Sequence, residues 1–521
     1  MTAGKSSRSR LGFVVAGLLL GILMSSMDNT IVATAMGTIV ADLGGLDKFV
    51  WVTSAYMVAE MASMPIFGKL SDMYGRKRFF IFGILVFLIG SALCGTAHSI
   101  TQLSIYRAIQ GIGGGALMPI AFTIIFDVFP PETRGKMSGL FGAVFGLSSI
   151  FGPLLGAYIT DYIGWHWVFY INLPLGVVAL GLILFFYSES IQHSRQKIDW
   201  TGAFTLVGAI ICLMFALELG GNKYDWGSSV ILALFAGFAV LFALFLFAET
   251  RAEEPVVSFS MFKNRLFASS TLIGFFYGAG FIVATVYIPI YIQGVLGGTA
   301  TNSGLILLPM MLGTVVSAQI GGFLAGSGKM NYRSIMIIFS LIFLAGMALL
   351  TTLTPATPHW LVTMYMILAG LGVGASFSVL GMASIQNFDV RQRGSASSTS
   401  AFLRSLGMTL GITIFGIIQR NLMTGKLDSV FAGLSGAGQG MKNADPRELL
   451  SPEARKAIPA PVLDKITAAL SSSISQTFLW ALVPAVLTVL FVLWMGKDRM
   501  PRPAASGEPA KERAASRVPT H

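Results

Sequence analysis

Long apolar runs separated by short polar segments repeat along almost the whole chain of 521 residues. A helix needs about 20 apolar residues to cross a bilayer, and runs of this length follow one another from residue 12 to residue 495. We place them at 12–40, 50–69, 79–97, 101–126, 136–159, 166–187, 200–219, 229–249, 266–293, 302–325, 334–353, 359–385, 396–419 and 474–495. The pattern predicts an all-α polytopic membrane protein with fourteen transmembrane helices, of which the longer ones tilt or extend beyond the bilayer.

Two hydrophilic stretches, 188–199 and 250–265, set apart the seventh and eighth runs. The predicted organisation is an N-terminus (1–11), a six-helix half (12–187), two inserted helices with their linkers (188–265), a second six-helix half (266–495) and a tail (496–521). The second half contains a long loop, 420–473, in which helix-start and proline signals predict two short helices outside the membrane. The tail is rich in Ala, Pro, Lys and Arg, which is typical of disorder.

The composition excludes an ordinary soluble protein. Hydrophobic residues make up 54% of the chain and charged residues 11%, whereas soluble domains carry about 25% charged residues. The net charge of +11 comes from Lys and Arg on alternate loops, and the short opposite loops hold little beyond Lys48 and Lys223. This is the positive-inside pattern, which predicts that both termini lie in the cytoplasm. The seven basic residues of loop 420–473 break the pattern, but long loops cross largely regardless of charge. The basic charge therefore orients the protein against anionic lipid and does not indicate nucleic-acid binding.

Several kinds of chemistry find no support in the sequence. Cys94 and Cys212 both lie inside predicted spans, so no disulfide framework is implied. None of the five His residues lies in the interior of a span, since His166 and His359 stand at the first position of theirs, which leaves a His proton relay, a metal site or an interfacial enzyme centre without candidates. The chain has no Gly-rich phosphate loop for ATP. We therefore expect no cofactor and no enzyme activity.

The segment GKLSDMYGRKR (68–78) is a Gly- and charge-rich hinge between two spans. It resembles the loop 2–3 motif of the major facilitator superfamily of transporters at Gly68, Asp72, Gly75, Arg76, Lys77 and Arg78. Its glycines allow a sharp turn, and its carboxylate can cap a helix N-terminus. The resemblance implies a gate that clasps the two halves of the transporter, with an Arg paired to Asp127 at the end of span 4. The alternative is a turn that merely follows the positive-inside rule.

Span 1 carries a carboxylate in MDNTIVATAM (27–36). The segment resembles a motif of the fourteen-span drug:proton antiporters of the superfamily at Asp28, Thr30, Ile31, Val32 and Ala35. It departs from that motif at Ala33 and Gly37, where Asn and Pro are usual. A charge at this depth costs about 2.5–3.5 kcal/mol on insertion scales, so Asp28 is a candidate for proton coupling or substrate binding. Alternatively, Asp28 is a neutral acid that hydrogen-bonds a neighbour.

Two further groups lie at similar depth. Glu60 in span 2 is a second carboxylate candidate on depth alone, and a satisfied polar residue is the alternative. Span 4 reads YRAIQGIGGGALMP (106–119), in which Arg107 and Gln110 share one helix face. This segment resembles a family motif linked to proton coupling, and the alternative for Arg107 is a side chain that snorkels to the interface.

Span 5 contains GLSSIFGPLLGA (146–157), which is close to the antiporter motif at Gly146, Gly152, Pro153 and Gly156 and departs from it at Ala157. The resemblance favours export over import. A generic proline kink is the alternative.

The second half has no carboxylate inside a predicted span, and its weak repeat of the hinge, 321–333, lacks the acid. Its candidate pocket residues are Tyr277, Tyr287, Tyr291, Gln293, Met310, Phe377 and Arg404. Most of them are expected to serve packing. For Arg404, an inward position and a snorkelling position stay equally open.

Residues 11–497 together resemble a fourteen-span drug:proton antiporter. The resemblance implies a monomer in the cytoplasmic membrane of a bacterium, driven by the proton gradient without a cofactor, whose partners are lipophilic small molecules, protons and membrane lipid. Two other functions stay open: export of one dedicated metabolite, antibiotic or siderophore, and a non-transporting membrane sensor.

Overall fold

The computed structural model of the chain describes residues 3–44, 50–189, 199–221, 223–298, 300–432 and 459–500. Within these residues the α-helices are α1 Ala3–Leu43, α2 Val50–Tyr74, α3 Arg76–Cys94, α4 Ile100–Val128, α5 Pro131–Tyr162, α6 Trp167–Tyr170, α7 Asn172–Phe186, α8 Trp200–Leu219, α9 Ser229–Arg251, α10 Arg265–Gly294, α11 Ala300–Gly326, α12 Tyr332–Leu350, α13 His359–Gln386, α14 Arg393–Ala432 and α15 Ala460–Trp494. Short 3₁₀ turns at Phe259–Lys263 and Val390–Gln392 precede α10 and α14.

The prediction of an all-α polytopic membrane protein is confirmed. Thirteen of the helices in the described ranges are long and apolar enough to cross a membrane, counting α6 and α7 as one span. The remaining long helix, α2, has 25 residues and is less apolar because Glu60 and several hydroxyl side chains interrupt its sequence. The assignment of α2 as the fourteenth span stays a prediction.

The predicted loop 420–473 is partly helical. Helix α14 continues to Ala432 and α15 begins at Ala460, while residues 433–458 lie outside the described residues. The prediction of two separate short helices is wrong for the stretch from 460 onward, which is continuous with the last span. Pro461 lies in the first turn, where proline is tolerated, and buried Ile466, Leu470 and Ile474 recur every four residues on one face.

The prediction of a disordered tail from residue 496 onward is wrong for residues 496–500. Asp498 accepts a hydrogen bond at its carbonyl from the Tyr332 amide at 3.0 Å, and Arg499 accepts one at its carbonyl from Gln386 Nε2 at 2.9 Å. Met500 is fully buried. Hydrogen bonds from α12 and α13 to these two carbonyls thus order residues 496–500, and residues 501–521 lie outside the described residues.

We call α1–α7 the first half and α10–α15 the second half. The halves meet where α5 packs on α11 and α13 and where α2 and α4 pack on α14. The second helix of the first half thus contacts the fifth span of the second half, and the reverse pair, α5 and α11, is also in contact. This reciprocity is what two repeats related by an axis along the membrane normal produce.

The inserted pair α8–α9 packs against itself and along the outer side of α2. Val58 and Met61 of α2 lie in one apolar cluster with Leu206, Ile210 and Phe245 of the pair. The pair therefore supports a helix that also contacts the second half.

Candidate functional site

The chain reverses between α2 and α3 at a single residue, Gly75, whose φ of 109° is a conformation that favours glycine. We call the end of the bundle that holds this turn the hinge end. There Asp72 accepts hydrogen bonds from the amides of Gly394 at 2.8 Å and Ser395 at 2.7 Å. The predicted capping carboxylate thus meets the first turn of α14, a helix of the other half.

Arg76 lies at the centre of the hinge end and is completely buried. It donates from Nη1 to Asp72 at 2.7 Å, from Nε to Asp127 at 2.6 Å and from Nη2 to the Val390 carbonyl at 2.5 Å. Arg393 of the second half donates to the other oxygen of Asp127 at 2.7 Å. The structure therefore brings Arg76 and Asp127 together, as the motif implies, and adds Arg393. We call these four charged side chains the hinge cluster.

The other motif residues have separate positions. Lys77 donates from Nζ to the carbonyls of Leu184 and Tyr187 at the end of α7, at 2.8 and 2.5 Å. Arg78 is exposed. Gly68 lies where α2 crosses α14, and a Cβ there would be 1.9 Å from Ser398 Oγ. Of the three adjacent cations, Arg76 alone belongs to the hinge cluster.

Asp28 of α1 is fully buried inside the first half. One of its oxygens is paired with Arg107 Nη1. The other accepts hydrogen bonds from Gln110 Nε2 at 2.8 Å and from Asn172 Nδ2 at 2.9 Å. The structure thus joins Asp28 with Arg107 and Gln110, which the sequence proposed on two separate motifs.

Three members of this network were not among the sequence candidates. Asn172, the first residue of α7, and Ser91 of α3 are both fully buried, and Asn172 Nδ2 donates to Ser91 Oγ at 3.0 Å. Tyr56 of α2 lies under the guanidinium of Arg107, 4.2 Å from its ring centroid. None of the three carries a charge, so hydropathy and charge counts gave no signal. We call Asp28, Arg107, Gln110, Asn172, Ser91 and Tyr56 the Asp28 network.

Glu60 differs from Asp28 in its surroundings. Its side chain is half-buried, and its carboxylate has no hydrogen bond or ion pair in the part of the chain that the structure describes. It lies one helical turn from Tyr56 and on the same face. A ligand or proton at the surface of this carboxylate would therefore be one turn away from the Asp28 network.

The α5 motif packs against α1 and α11. A Cβ at Gly152 would lie 1.9 Å from Thr30 Oγ1, and one at Gly156 would lie 2.2 Å from Thr34 Oγ1. Pro153 lies inside α5 between these contacts, and Gly146 faces α11 of the other half. The glycines thus allow α5 to approach the helix that carries Asp28.

The candidate pocket residues of the second half divide into two groups. Tyr277, Tyr287, Tyr291 and Met310 are buried in the hydrophobic core, and Gln293 is exposed near the end of α10. Phe377 packs against Phe145 of the first half, with ring centroids 4.9 Å apart. The half-buried Arg404 lies over Phe377, 4.5 Å from its ring centroid, which settles its position as inward.

A family model described as Major Facilitator Superfamily matches residues 18–412, which is most of the chain. The chain belongs to this superfamily. Membership confirms the prediction of a membrane transporter, and it places the chain in a family of transporters and not of enzymes.

Curated relatives match over nearly the whole length. Multidrug resistance protein 3 of Bacillus subtilis (strain 168) is 58% identical over 94% of this chain and 96% of the relative. Multidrug transporter protein MdtP of the same strain is 37% identical over 99% of both chains. The fungal efflux pump dotC of Dothistroma septosporum is 30% identical over 94% of this chain and 85% of the relative.

Solved structures support the fold. The proton:xylose symporter XylE matches with a TM-score of 0.61 over 95% of this chain and 97% of its own, at 15% identity. The human organic anion transporter MFSD10 matches with a TM-score of 0.55 over 92% of this chain and 99% of its own, also at 15% identity. At this identity the likeness concerns the fold alone.

Proposed function

We propose that this superfamily member is a proton-coupled antiporter that exports lipophilic, often cationic, drugs across the cytoplasmic membrane of a bacterium by alternating access. The observation that carries the proposal is the Asp28 network, a buried carboxylate with partners on both oxygens, in a chain whose relatives are named as multidrug transporters. The bacterial membrane is supported by relatives from Bacillus subtilis.

The proposed orientation places the hinge end in the cytoplasm, together with both termini. It follows from the Lys and Arg residues, which concentrate on the loops of that side. The hinge cluster joins both halves there, so the described state corresponds to a transporter closed to the cytoplasm.

In the proposed cycle, Asp28 exchanges its proton and the network changes with it. When Asp28 is ionised, Arg107 holds it as a buried pair. When Asp28 binds a proton, that pair is lost and Arg107 is left without its counter-ion, which is costly in a buried site. The two protonation states therefore favour different packing of α1 against α4, and this difference couples the proton to the rocking of the halves.

Glu60 is proposed to bind the exported drug. Since Asp28 is fully buried, a drug in the central space reaches the half-buried Glu60 first. A cationic drug favours the ionised form of Glu60, and a proton displaces the drug, so the two ligands compete. Each proton that enters through 100 mV supplies about 2.3 kcal/mol, enough for more than tenfold accumulation.

The test uses purified protein in proteoliposomes with an imposed pH gradient and ethidium as a cationic dye. Wild-type protein should move the dye against the proton flux, and an internal pH indicator should report the protons. Asp28→Asn should lower gradient-driven efflux at least about tenfold, because the side chain can no longer bind and release a proton.

Asp42→Asn is the matched control for this test. Asp42 lies on the same helix and accepts a hydrogen bond from Trp165 Nε1 at 2.8 Å, but it is exposed. Its variant should keep wild-type efflux. The proposal would be contradicted by dye movement without proton movement, or by full activity of Asp28→Asn. Binding of one compound without transport would favour a sensor.

A further inference from the structure

Among the described residues of the second half, one cation has no counter-ion. Arg404 of α14 donates from Nη2 to the Ser376 carbonyl at 3.0 Å, and this is its one hydrogen bond in the part of the chain that the structure describes. It has no ion pair there. Its Nε and Nη1 groups therefore have N–H donors to offer, and the side chain is half-buried.

The helices of the second half place no acid near Arg404. Helices α10 to α13 contain no Asp or Glu. The acids of α14 and α15 are Asp428 and Asp464, both toward the opposite end of the bundle from the hinge. An unpaired Arg in a membrane interior is costly and generally marks a ligand pathway or a partner. The absence of an acid in these helices leaves a ligand as the natural partner.

Arg404 and Glu60 lie at matched depth. At the hinge end Gly394 meets Ser71, since a Cβ on Gly394 would lie 2.7 Å from Ser71 Oγ. Arg404 follows Gly394 by ten residues, about 15 Å along α14, and Glu60 precedes Ser71 by eleven residues, about 16 Å along α2. Helices α2 and α14 are antiparallel, since α2 ends at the hinge end and α14 begins there. Glu60 and Arg404 are therefore displaced from the hinge end in the same direction, by about half the thickness of a bilayer.

The surface beside Arg404 is aromatic. Phe377 lies under the Arg404 guanidinium and packs against Phe145 of the first half, at 4.9 Å, and Phe281 of α10, at 6.4 Å between ring centroids. A planar aromatic ligand can stack on such a surface. An anionic substituent of that ligand then has the free Arg404 donors within reach, in a medium where charge-assisted hydrogen bonds are strong.

We infer that Arg404 is an anion subsite of the transport cavity, which binds the carboxylate of aromatic zwitterionic substrates whose cationic group faces Glu60. This inference rests on the proposed function and extends it from lipophilic cations to compounds that carry a carboxylate as well. Phe377 holds the aromatic part of the ligand between the two charges.

The test compares two probes that differ by one methyl group. One is a rhodamine with a free carboxylate, which is a zwitterion, and the other is its methyl ester, which is a cation. Each is supplied at several concentrations to proteoliposomes under an imposed pH gradient, with wild-type, Arg404→Gln and Arg404→Lys protein. Binding of both probes to detergent-solubilised protein, measured by fluorescence polarisation, does not depend on turnover.

We expect Arg404→Gln to raise the half-saturating concentration of the carboxylate probe about tenfold and to leave that of the ester within about twofold. Arg404→Lys should recover part of the preference, because it keeps the charge but loses the planar fork. Equal changes for both probes would show that Arg404 serves packing and would overturn the inference, as would no change for either. If wild-type protein moves neither probe under the gradient while it binds both, the proposed function fails and the binding ratio still tests the subsite.

Discussion

The two halves differ in the partners that surround their arginines, Arg107 in the first half and Arg404 in the second. In the first half, Arg107 is paired with Asp28 and donates a hydrogen bond to Gln110, and the ring of Tyr56 lies under its guanidinium. In the second half, Arg404 has one carbonyl acceptor within the described ranges and lies over an aromatic ring. In the proposed function the two halves therefore have separate tasks: the first half holds the charge pair proposed to bind a proton, and the second half holds the charge proposed to bind the transported compound.

The largest expected effect contrasts the two arginines directly. Arg107→Gln leaves Asp28 buried without a cation and should destabilise the protein by about 3–5 kcal/mol. Arg404→Gln removes no ion pair and should change stability by less than about 1 kcal/mol. Thermal unfolding of the two variants in the same detergent measures the difference. Equal losses of stability would remove the contrast between the halves.

The next effect concerns the hinge cluster, where the halves share charges. Arg76→Gln removes four hydrogen bonds but leaves Arg393 beside Asp127, so the closed hinge end should become less populated by about a hundredfold, or about 2.7 kcal/mol. Distances between spin labels placed across the hinge end report the populations.

Arg78→Gln is the control for the hinge experiment because Arg78 is exposed and two residues away. It should leave the distance distribution unchanged. A similar shift in both variants would mean that total charge at the loop, and not the position of Arg76, controls closure.

A smaller effect tests the packing that supports Asp28. Gly152→Ala introduces a Cβ only 1.9 Å from Thr30 Oγ1 and should destabilise the protein by about 1 kcal/mol or more. Gly181→Ala on α7 meets no atom within 4 Å and should have little effect. Thermal unfolding compares the two, and an unaffected Gly152→Ala would show that α1 and α5 can separate without loss.

The smallest effect concerns an ion pair outside the hinge cluster and the Asp28 network. Lys69 of α2 forms an ion pair with Glu254 of the segment after α9, at 2.5 Å, and both side chains are partly exposed. Lys69→Gln should lower stability by at most about 1 kcal/mol, because exposed ion pairs contribute little. A larger loss in thermal unfolding would indicate that the inserted pair holds α2 in place through this contact.

The parts of the fold that the sequence predicted are those with local signals. Apolar runs located the helices, and the i, i+3 spacing placed Arg107 and Gln110 on one face. The pairing of Arg76 with Asp127 came from a motif resemblance. The helix ends were harder, since the polar start of α15 resembles a loop in composition, and its helical state depends on packing by Ile466 and Leu470.

The site was predictable in its charged members and not in its neutral ones. Asn172 donates a hydrogen bond to Asp28 and another to Ser91, yet an amide or hydroxyl in a span is too common to single out. The alternatives for Arg404 stayed open because its own helix does not say which neighbour it faces. Contact with Phe377 of α13 decides that question, and it is long-range information.

The cap that Asp72 provides for α14 has a consequence for watching the protein at work. The amides of Gly394 and Ser395 are shielded from solvent only while the two halves stay together at this end. Each time the halves part, these two N–H groups must find water instead, and they can then exchange with deuterium. The rate of deuterium exchange at these two amides therefore reports how often the hinge end opens, without any attached probe.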